Sequence, residues 1–357
     1  MNTRIERVLA QMRGRGLSQL LLCDPQSIFY LTGVEVAPFE RLFAFLLRAD
    51  GRHTLFLNRL FNVRDSGFAE VWFSDTDDAI GLLAGAMDAG ILGVDKLFPA
   101  GFLLPLLARK PELRPVLASD CVDDCRAVKD EQEQALMRRA SQINDEVIAL
   151  AAAHIKEGMT EREVAAFIDA AYLAHGASGN SFDTIVCFGK NAADPHHEPD
   201  DTVLRAGDGV LLDMGCVYRR YCSDMTRTFV CGEPDAEFVA VHDLVRRANE
   251  AAEAIIRPGV LLCEIDRAAR EMIERAGYGP YFNHRLGHFI GQAEHEKGDV
   301  SSASRVPVRP GMIFSIEPGV YLPGRFGVRI EDLVLVTETG CEVLNRVPKE
   351  LRAVGQP

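Results

Sequence analysis

Apolar runs and polar turns alternate along the chain and predict helices and strands from its first residues onward. Apolar positions between Ile5 and Met12 recur at helical spacing, which predicts an amphipathic first helix. The apolar stretches 17–24 and 42–57 predict strands, and Asp50-Gly51 folds the second stretch into a hairpin. Short strands and helices alternate up to about residue 117, so the pattern predicts an α/β unit in this part of the chain.

A polar stretch over 120–134 separates this unit from the remainder of the chain. From Lys129 a long helix is predicted, with one apolar face formed by Leu136, Ala140, Ile143, Val147 and Leu150. The predicted fold class is therefore α+β with two domains. Residues 1–125 form an α/β N-terminal domain, and residues 126–357 form a larger C-terminal domain.

The second part contains an internal repeat. Residues 156–176 align without gaps on residues 257–277, and each copy predicts a helix that starts after a glycine and ends at another. Each helix is followed by two apolar strands around a tight turn, within 211–229 and 314–336. Two such halves predict a duplicated domain with a pseudo-twofold axis.

Each of these hairpins carries one acid in each strand. The acids are Asp213 and Asp224 in the first hairpin and Glu317 and Glu331 in the second. Turns at Tyr218-Arg219 and around Gly324 would place the two acids of each hairpin opposite each other, with Cβ atoms about 4.5–5.5 Å apart. Such close like charges need protons or cations. A solvated sheet face, or pairing with Arg227 and Arg329, is the alternative, and the apolar neighbours of the acids disfavour the first.

Three histidines precede the second hairpin within residues 281–296, namely His284, His288 and His295. Four carboxylates and an imidazole suit hard or borderline divalent ions such as Mn²⁺ or Co²⁺. Four negative charges balance two such cations, and two cations about 3.5–4 Å apart can share a water and lower its pKa toward about 7. The residues therefore predict metal-assisted hydrolysis.

Charge and composition exclude other classes. The 357 residues are 47% hydrophobic with a formal net charge of −13, which argues against nucleic acid or an anionic membrane as a partner. No apolar run reaches the ~20 residues of a membrane helix, and the N-terminal segment lacks the apolar core of a signal peptide. The nine cysteines include no metal or redox spacing, so we expect buried, reduced thiols in a cytoplasmic protein.

Several motifs together resemble those of the pita-bread metallopeptidases, which include methionine aminopeptidase, aminopeptidase P and prolidase. The motifs are LLDMG, SDMTRTF, HRLGHFIG followed by HE, FSIEPGVY and GVRIED, and the resemblance covers residues 126–357. Residues 1–125, with FYLTG and ERLFAFLL, resemble the creatinase-type N-terminal domain. Methionine aminopeptidases lack that domain, so the resemblance implies the proline-directed branch.

The resemblance also implies a ligand set for two divalent cations, Mn²⁺ or Co²⁺ with Zn²⁺ as a further candidate. Asp224 and Glu331 would bridge both ions, Asp213 would bind one, and His288 and Glu317 would bind the other. Glu317 would also act as the general base toward the attacking water.

Accessory residues follow from the same resemblance. They are His196 at the substrate carbonyl, His295 near the scissile bond, His284 in the proline pocket, and Tyr321 and Arg329, which orient ligands. The neighbouring His197 is an alternative to His196. Lys297-Gly298 follows the HE pair where the family often has proline, which affects the expected shape of the pocket rim but not the metal site.

The function that these residues favour is Xaa-Pro dipeptidase (prolidase), because the short N-terminal domain and total length resemble compact prokaryotic dipeptidases. The alternative is an aminopeptidase P that acts on longer peptides. A metal-free creatinase-like enzyme or peptide-binding module is a remote alternative, since all five ligand positions carry ligands. Arg305 or Arg325 is a candidate to bind the substrate carboxylate. A homodimer is expected from the resemblance.

Overall fold

Residues 3–355 are described by a computed structural model. The chain separates between Arg126 and Ala127 into two compact units, one residue after the boundary that the sequence predicts. Both units mix helices and sheets, and the predicted two-domain α+β architecture is confirmed.

The N-terminal unit is built around one mixed sheet. Its elements are α1 (Thr3–Gly14), β1 (Gln19–Leu22), α2 (Pro25–Thr32), β2 (Ala44–Arg48), β3 (Thr54–Asn58), β4 (Ala69–Phe73), α3 (Ala79–Ala86), β5 (Gly90–Val94), α4 (Ala100–Arg109), β6 (Leu113–Leu117) and α5 (Asp120–Arg126). The strand order is β4-β3-β2-β1-β5-β6. The predicted first helix and the hairpin of β2 and β3 are confirmed, and the turn residue Gly51 adopts φ 84°.

The C-terminal unit begins with two helices and ends in short strands. Its elements are α6 (Glu131–His154), α7 (Glu161–Ala174), β7 (Gly179–Asn180), β8 (Ile185–Phe188), β9 (Gly209–Met214), β10 (Cys216–Tyr218), β11 (Tyr221–Cys222), β12 (Met225–Cys231), α8 (Ala236–Ala254), α9 (Leu262–Arg275), β13 (Gly287–Phe289), β14 (Glu296–Val300), β15 (Ile313–Ile316), β16 (Gly319–Leu322), β17 (Phe326–Arg329), β18 (Asp332–Val336), β19 (Cys341–Val343) and β20 (Ala353–Val354). The main sheets have the orders β20-β12-β9-β8 and β14-β13-β15-β18-β19, and helices pack on both.

The long helix α6 starts at a capping box. The Asp130 side chain accepts a hydrogen bond from the Glu133 N–H, and the Glu133 side chain accepts one from the Asp130 N–H. Its predicted apolar face is only partly correct, because Leu150 is exposed while Met137 and Ile148 are buried.

Helices α7 and α9 show the duplication directly, since each spans 14 residues. Gly158 and Gly259, before the two helices, have φ angles of 93° and 91°, a backbone region that other residues enter only at a cost. The Gly158 N–H donates to Leu204 O, and the Gly259 N–H donates to Val308 O. The predicted repeat is confirmed, down to the backbone hydrogen bonds that fix each helix start.

The first hairpin differs from its prediction. Its turn lies at Arg219-Arg220, one residue later than expected, and both residues have positive φ as a type I′ turn requires. Asp213 therefore pairs with Thr226 in the β9·β12 ladder. Asp224 lies between β11 and β12, outside both strands. The predicted opposition of Asp213 and Asp224 is wrong, because the turn lies one residue later and sets a register that pairs Asp213 with Thr226.

The second hairpin has the register that a turn at Gly324 predicts, in both the β15·β18 and the β16·β17 ladders. Glu317 and Glu331 lie at the break between these two ladders. Their N–H groups donate to other segments, Glu317 to Leu286 O at 2.8 Å and Glu331 to Thr226 O at 3.0 Å. The break thus turns both carboxylates away from ordinary strand pairing.

Two further expectations from the sequence concern the cysteines and membrane-spanning helices. All nine cysteines are free thiols and, apart from the half-buried Cys341, they are buried, as predicted. Within residues 3–355, no helix combines the length and apolar character needed to cross a membrane.

Candidate metal centre and cavity

The acids and histidines singled out from the sequence line one cavity of about 440 Å³ in the C-terminal unit. Its lining residues are Phe182, Ile185, Pro195, His196, Asp213, Asp224, Asn283, His284, Arg285, His288, Glu294, His295, Glu317, Arg329 and Glu331. The structure therefore brings together all five residues of the predicted ligand set, from both hairpins and from β13.

Two glycines allow the strands to approach closely around this cavity. A Cβ atom on Gly215 would lie 2.1 Å from Ser223 O, beside the interruption that carries Asp224. A Cβ atom on Gly287 would lie 1.9 Å from Ser315 O, beside His288. A side chain at either position would clash with the backbone of the neighbouring segment.

His288 faces three of the acids. Its Nε2 atom lies 3.5 Å from Asp224 Oδ2, 3.6 Å from Glu317 Oε1 and 4.0 Å from Glu331 Oε1. Its Nδ1 atom lies 3.3 Å from Phe289 O, to which an Nδ1–H group can donate. That tautomer leaves the Nε2 lone pair directed at the acids, as a metal-binding imidazole requires.

Burial makes the acid cluster costly without a counter-ion. Desolvation, with Asp213 nearby, raises the pKa of Asp224 well above its ordinary value. Desolvation and the neighbouring Asp224 likewise raise the pKa of Glu331, and desolvation raises the pKa of Glu317 to about 7. The cluster must hold either extra protons or cations.

The donor set fits divalent cations. Asp213 Oδ1, Asp224 Oδ1 and Glu331 Oε1 are buried, and within residues 3–355 they have no hydrogen-bond partner. Ligand atoms of Asp224, His288 and Glu331 lie within 4.8 Å of one another. Unpartnered carboxylate oxygens beside an imidazole are the ligands that Mn²⁺, Co²⁺ or Zn²⁺ accepts.

Arg329 connects the two halves of the site. Its Nη2 donates to Asp213 Oδ2 at 2.5 Å and its Nε donates to Thr226 Oγ1 at 3.1 Å. Thr226 in turn donates to Glu331 Oε2 at 2.7 Å. Among residues 3–355, the salt-bridge alternative therefore applies to Asp213 alone. The other arginine considered, Arg227, forms no ion pair with the four acids and contacts Glu331 only at its main-chain oxygen.

Arg227 instead pairs with the fully buried Asp332 at 2.6 Å. The other alternative, a solvated sheet face, is wrong, since Asp213, Asp224 and Glu331 are buried and Glu317 is only partly exposed.

Tyr321 and His284 extend this network. Arg329 Nη1 donates to the Tyr321 hydroxyl at 2.9 Å, and His284 Nε2 lies 3.0 Å from the same oxygen. His284 Nδ1 is 2.7 Å from Arg285 O, so Nδ1 donates there and Nε2 accepts from Tyr321. Burial lowers the pKa of His284 to about 4, which keeps its ring neutral.

The two adjacent histidines His196 and His197 point in different directions. His196 is exposed and lines the cavity. His197 points toward the start of α7, and its Nε2 atom lies 2.7 Å from Glu161 Oε2. Of the two, His196 is the one that can reach a molecule in the cavity.

His295 lies next to the proposed ligand His288, with ring centroids 4.2 Å apart in an edge-to-face arrangement. Burial, with His288 nearby, lowers the pKa of His295 to about 4. A neutral imidazole can then accept or donate a proton at the cavity wall.

Several cavity residues were missed from the sequence. Glu294 and Arg285 are charged and lie within the same histidine segment, so their neighbourhood was a usable signal. Phe182 and Ile185 come from a distant segment without any chemical motif, and no sequence signal marks them.

Neither arginine suggested for the substrate carboxylate lines the cavity. Arg325 forms an ion pair with Glu237 at 2.6 Å, and Arg305 is exposed elsewhere on the unit. The structure therefore does not bring either arginine to the cavity in which a substrate carboxylate would lie.

Comparison with known proteins agrees with the geometry. Residues 135–338 match the model of metallopeptidase family M24, and residues 4–128 match the creatinase/prolidase N-terminal domain. A crystal structure of dipeptidase PepE from Mycobacterium ulcerans is 38% identical, with a TM-score of 0.93 over 99% of this chain and 97% of that chain. A prolidase from Thermococcus sibiricus is 33% identical, with a TM-score of 0.92 over 98% of both chains. An X-Pro aminopeptidase from Thermotoga maritima is 30% identical, with a TM-score of 0.86 over 98% and 100%.

Proposed function

Because the chain belongs to metallopeptidase family M24 and carries a creatinase/prolidase-type N-terminal domain, we propose that this metal-dependent peptidase is an Xaa-Pro dipeptidase. It hydrolyses dipeptides whose second residue is proline. The observation that carries the proposal is one cavity in which the four acids of the ligand set, four histidines and three further charged side chains converge. The similarity to a dipeptidase from Mycobacterium ulcerans over nearly the whole chain supports this choice.

The proposed ligands are Asp213, Asp224, His288, Glu317 and Glu331, of which Asp224 and Glu331 contribute to both of two cations, Mn²⁺ or Co²⁺. Bound there, the cations supply Lewis acidity toward the scissile carbonyl and lower the pKa of an attacking water. Glu317, which lines the cavity with its Oε1 atom 3.6 Å from His288 Nε2, is the proposed general base.

The histidines act on the substrate. We propose that His196 donates a hydrogen bond to the carbonyl oxygen as negative charge develops on it, a contribution that grows in the transition state. His295 lies close enough to His288 to contact the same peptide bond, and His284 lines the wall for the proline ring. Tyr321 and Arg329 hold Asp213 and His284 in place through the hydrogen bonds described above.

His196→Ala tests its assignment. The variant should keep its cations, measured by elemental analysis, while kcat for Met-Pro falls about 10²-fold or more, as for loss of one oxyanion donor. Loss of metal instead would make His196 a ligand and would overturn its proposed role.

The choice of a dipeptide rests on the charges at the cavity wall. A dipeptide is a zwitterion, with an ammonium group and a carboxylate a few bonds apart. Arg285 and Glu294 both line the cavity and carry opposite charges. Among residues 3–355, the ion-pair partner of Arg285 is the half-exposed Asp299, and a surface pair of this kind is weak enough for a substrate carboxylate to replace it. Arg285 is therefore the proposed receptor for the carboxylate, in place of Arg305 or Arg325.

Comparing Met-Pro with Met-Pro-Ala tests this choice directly. The wild type should hydrolyse the dipeptide with the higher kcat/KM, and Arg285→Met should raise KM for the dipeptide more than for the tripeptide. Arg305→Met is the matched control and should change neither value. Faster hydrolysis of the tripeptide would favour the second candidate, aminopeptidase P, which the X-Pro aminopeptidase relative supports.

Assembly and location are parts of the same proposal. We propose a homodimer in the cytoplasm, on the basis of the family resemblance and the reduced thiols. Light scattering during size-exclusion chromatography tests the first, and a monomer mass would contradict it.

A further inference from the structure

The loop between β8 and β9 carries His196 and surrounds one buried carboxylate, that of Glu161. Glu161 is the first residue of α7 and is fully buried. Four donors reach its two oxygens: Phe188 N at 2.7 Å and Asn191 Nδ2 at 3.0 Å on Oε1, and His197 Nε2 at 2.7 Å and Asp200 N at 3.1 Å on Oε2. We call these five residues the Glu161 hub. The hub ties down the loop on both sides of His196.

The hub is not arranged as a second metal site. Ligand atoms of Glu161, His197 and Asp200 do lie within 4.8 Å of one another. However, both oxygens of Glu161 already accept two hydrogen bonds each, and a carboxylate offers about four lone-pair sites. Since His197 Nε2 donates to Glu161, that nitrogen has no lone pair for a cation. The hub therefore holds polypeptide rather than an ion.

Comparison of the two halves shows that the helix start does not need this carboxylate. In the second half, α9 begins at Leu262, the counterpart of Glu161 in the repeat. The backbone attachment is the same in both halves, because the Glu161 N–H donates to Thr202 O and the Leu262 N–H donates to Val306 O. The second half therefore starts its helix with the same backbone hydrogen bond and without a carboxylate. The buried carboxylate of Glu161 is thus available to hold the loop rather than the helix.

The opposite side of the loop rests on a second fixed surface. A Cβ atom on Gly327 would lie 1.7 Å from Ala192 O, so the loop backbone packs directly on β17. The loop is thus held between Gly327 and the Glu161 hub. His196 itself has an exposed side chain, and its N–H donates to Asp194 Oδ1 at 3.1 Å, within its own loop.

We propose that Glu161 and His197 are positioning residues that hold His196 over the acid cluster. This inference rests on the role proposed above for His196. A loop released from the hub would leave the cations and the substrate wall unchanged, while His196 would spend less time at the developing oxyanion. The expected signature is a fall in kcat with little change in KM or in metal content.

His197 offers a matched pair of variants for the test. His197→Gln keeps an N–H donor for Glu161, whereas His197→Leu removes it. We expect kcat for Met-Pro to fall about 10–100-fold in His197→Leu, as for other residues that orient an active side chain, and to stay near the wild-type value in His197→Gln. An equal fall in both variants would contradict the proposal, and so would unchanged kcat in His197→Leu.

The decisive comparison is made in the His196→Ala background. If the hub acts only through His196, His197→Leu should lower kcat no further once His196 is absent. A second, independent fall would show that the hub has a general structural role and would overturn the inference. Leu262→Ala, at the corresponding helix start in the other half, is the control for stability and should lower Tm without lowering kcat at 25 °C.

A readout without catalysis separates this inference from the proposed function. Hydrogen exchange of residues 189–198, measured by mass spectrometry, should become faster in His197→Leu and stay protected in His197→Gln. Protection in both variants would overturn the hub even if Met-Pro is hydrolysed. If the wild type fails to hydrolyse Met-Pro but the two variants show this exchange pattern, the proposed function and the role of His196 are refuted. The anchoring of the loop by His197 would still stand.

Discussion

The two halves of the C-terminal unit share a backbone plan and differ in what they add to it. Both have a helix that begins after a left-handed glycine and a following pair of strands. The first half adds a buried carboxylate at its helix start and a loop that bears His196. The second half has Leu262 at its helix start and supplies three histidines on β13 and on the segments next to it. The departures from symmetry, rather than the shared plan, are where the chemistry is concentrated.

The two hairpins show how unlike solutions lead to the same convergence. Asp213 belongs to a regular ladder, and Asp224 lies within an interruption of it. Glu317 and Glu331 both lie at a break between two ladders. In each half an irregularity frees a carboxylate from the sheet and directs it into the cavity.

The largest effect is expected from two single variants, each of which removes one acid from one half. Asp224→Ala and Glu331→Ala should each lower Met-Pro hydrolysis at least about 10³-fold, because Lewis-acid stabilisation worth several kcal/mol is lost. Elemental analysis should find fewer than two cations per chain in both variants. Glu338→Ala, an exposed position in the second half, is the control. Activity retained by either variant would mean that its acid does not contribute to both cations.

A second experiment breaks the contact that joins the halves. Arg329→Met removes the buried partner of Asp213 and should lower the free energy of unfolding of the metal-free protein by about 3–5 kcal/mol. Urea denaturation measures the loss. Arg325→Met, which breaks the exposed pair with Glu237, should cost less than about 1 kcal/mol. Equal losses would show that the cross-half pair adds no more than a surface pair.

Acid should weaken the packing of α8 on the first half. His242 donates to Thr228 O at 3.1 Å, and burial lowers its pKa to about 4 from the ordinary 6.5. The unfolded chain takes up a proton below about pH 6.5 and the folded chain only near pH 4. The neutral histidine thus contributes full stability above pH 6.5 and loses about 3 kcal/mol as pH falls through this window. His242→Gln keeps a donor and should show a smaller loss of stability from pH 7 to pH 4. Identical pH slopes would contradict this.

The smallest expected effect concerns the two helix starts. The Thr160 hydroxyl accepts a hydrogen bond from the Glu163 N–H at 3.2 Å, whereas Leu261, its counterpart, has no side-chain acceptor to offer. Thr160→Ala should cost about 1 kcal/mol, and Leu261→Thr should add about 0.5–1 kcal/mol. Urea unfolding checks both. A neutral or destabilising Leu261→Thr would mean that packing of the leucine outweighs the missing cap.

The hairpins also show why one register was predictable and the other was not. The turn at Gly324 is marked by a glycine between two apolar strands, and its register is as predicted. The first turn consists of Arg219-Arg220, two residues that rarely adopt positive φ. Neither this turn nor the ladder interruption beside Gly215 leaves a signal in the pattern of apolar residues. A shift of one residue in the turn was therefore enough to misplace Asp224 relative to Asp213.

By itself, the sequence determined the helix repeat, the two acid-bearing hairpins and the chemistry of the metal-binding side chains, because periodicity and residue type are local properties. Only the tertiary structure decided which charges share the cavity. Arg285 and Glu294 line it while Arg305 does not, and His197 anchors a loop while His196 faces the acids. These outcomes depend on where loops far apart in the chain meet, and packing between distant segments leaves no period in a sequence.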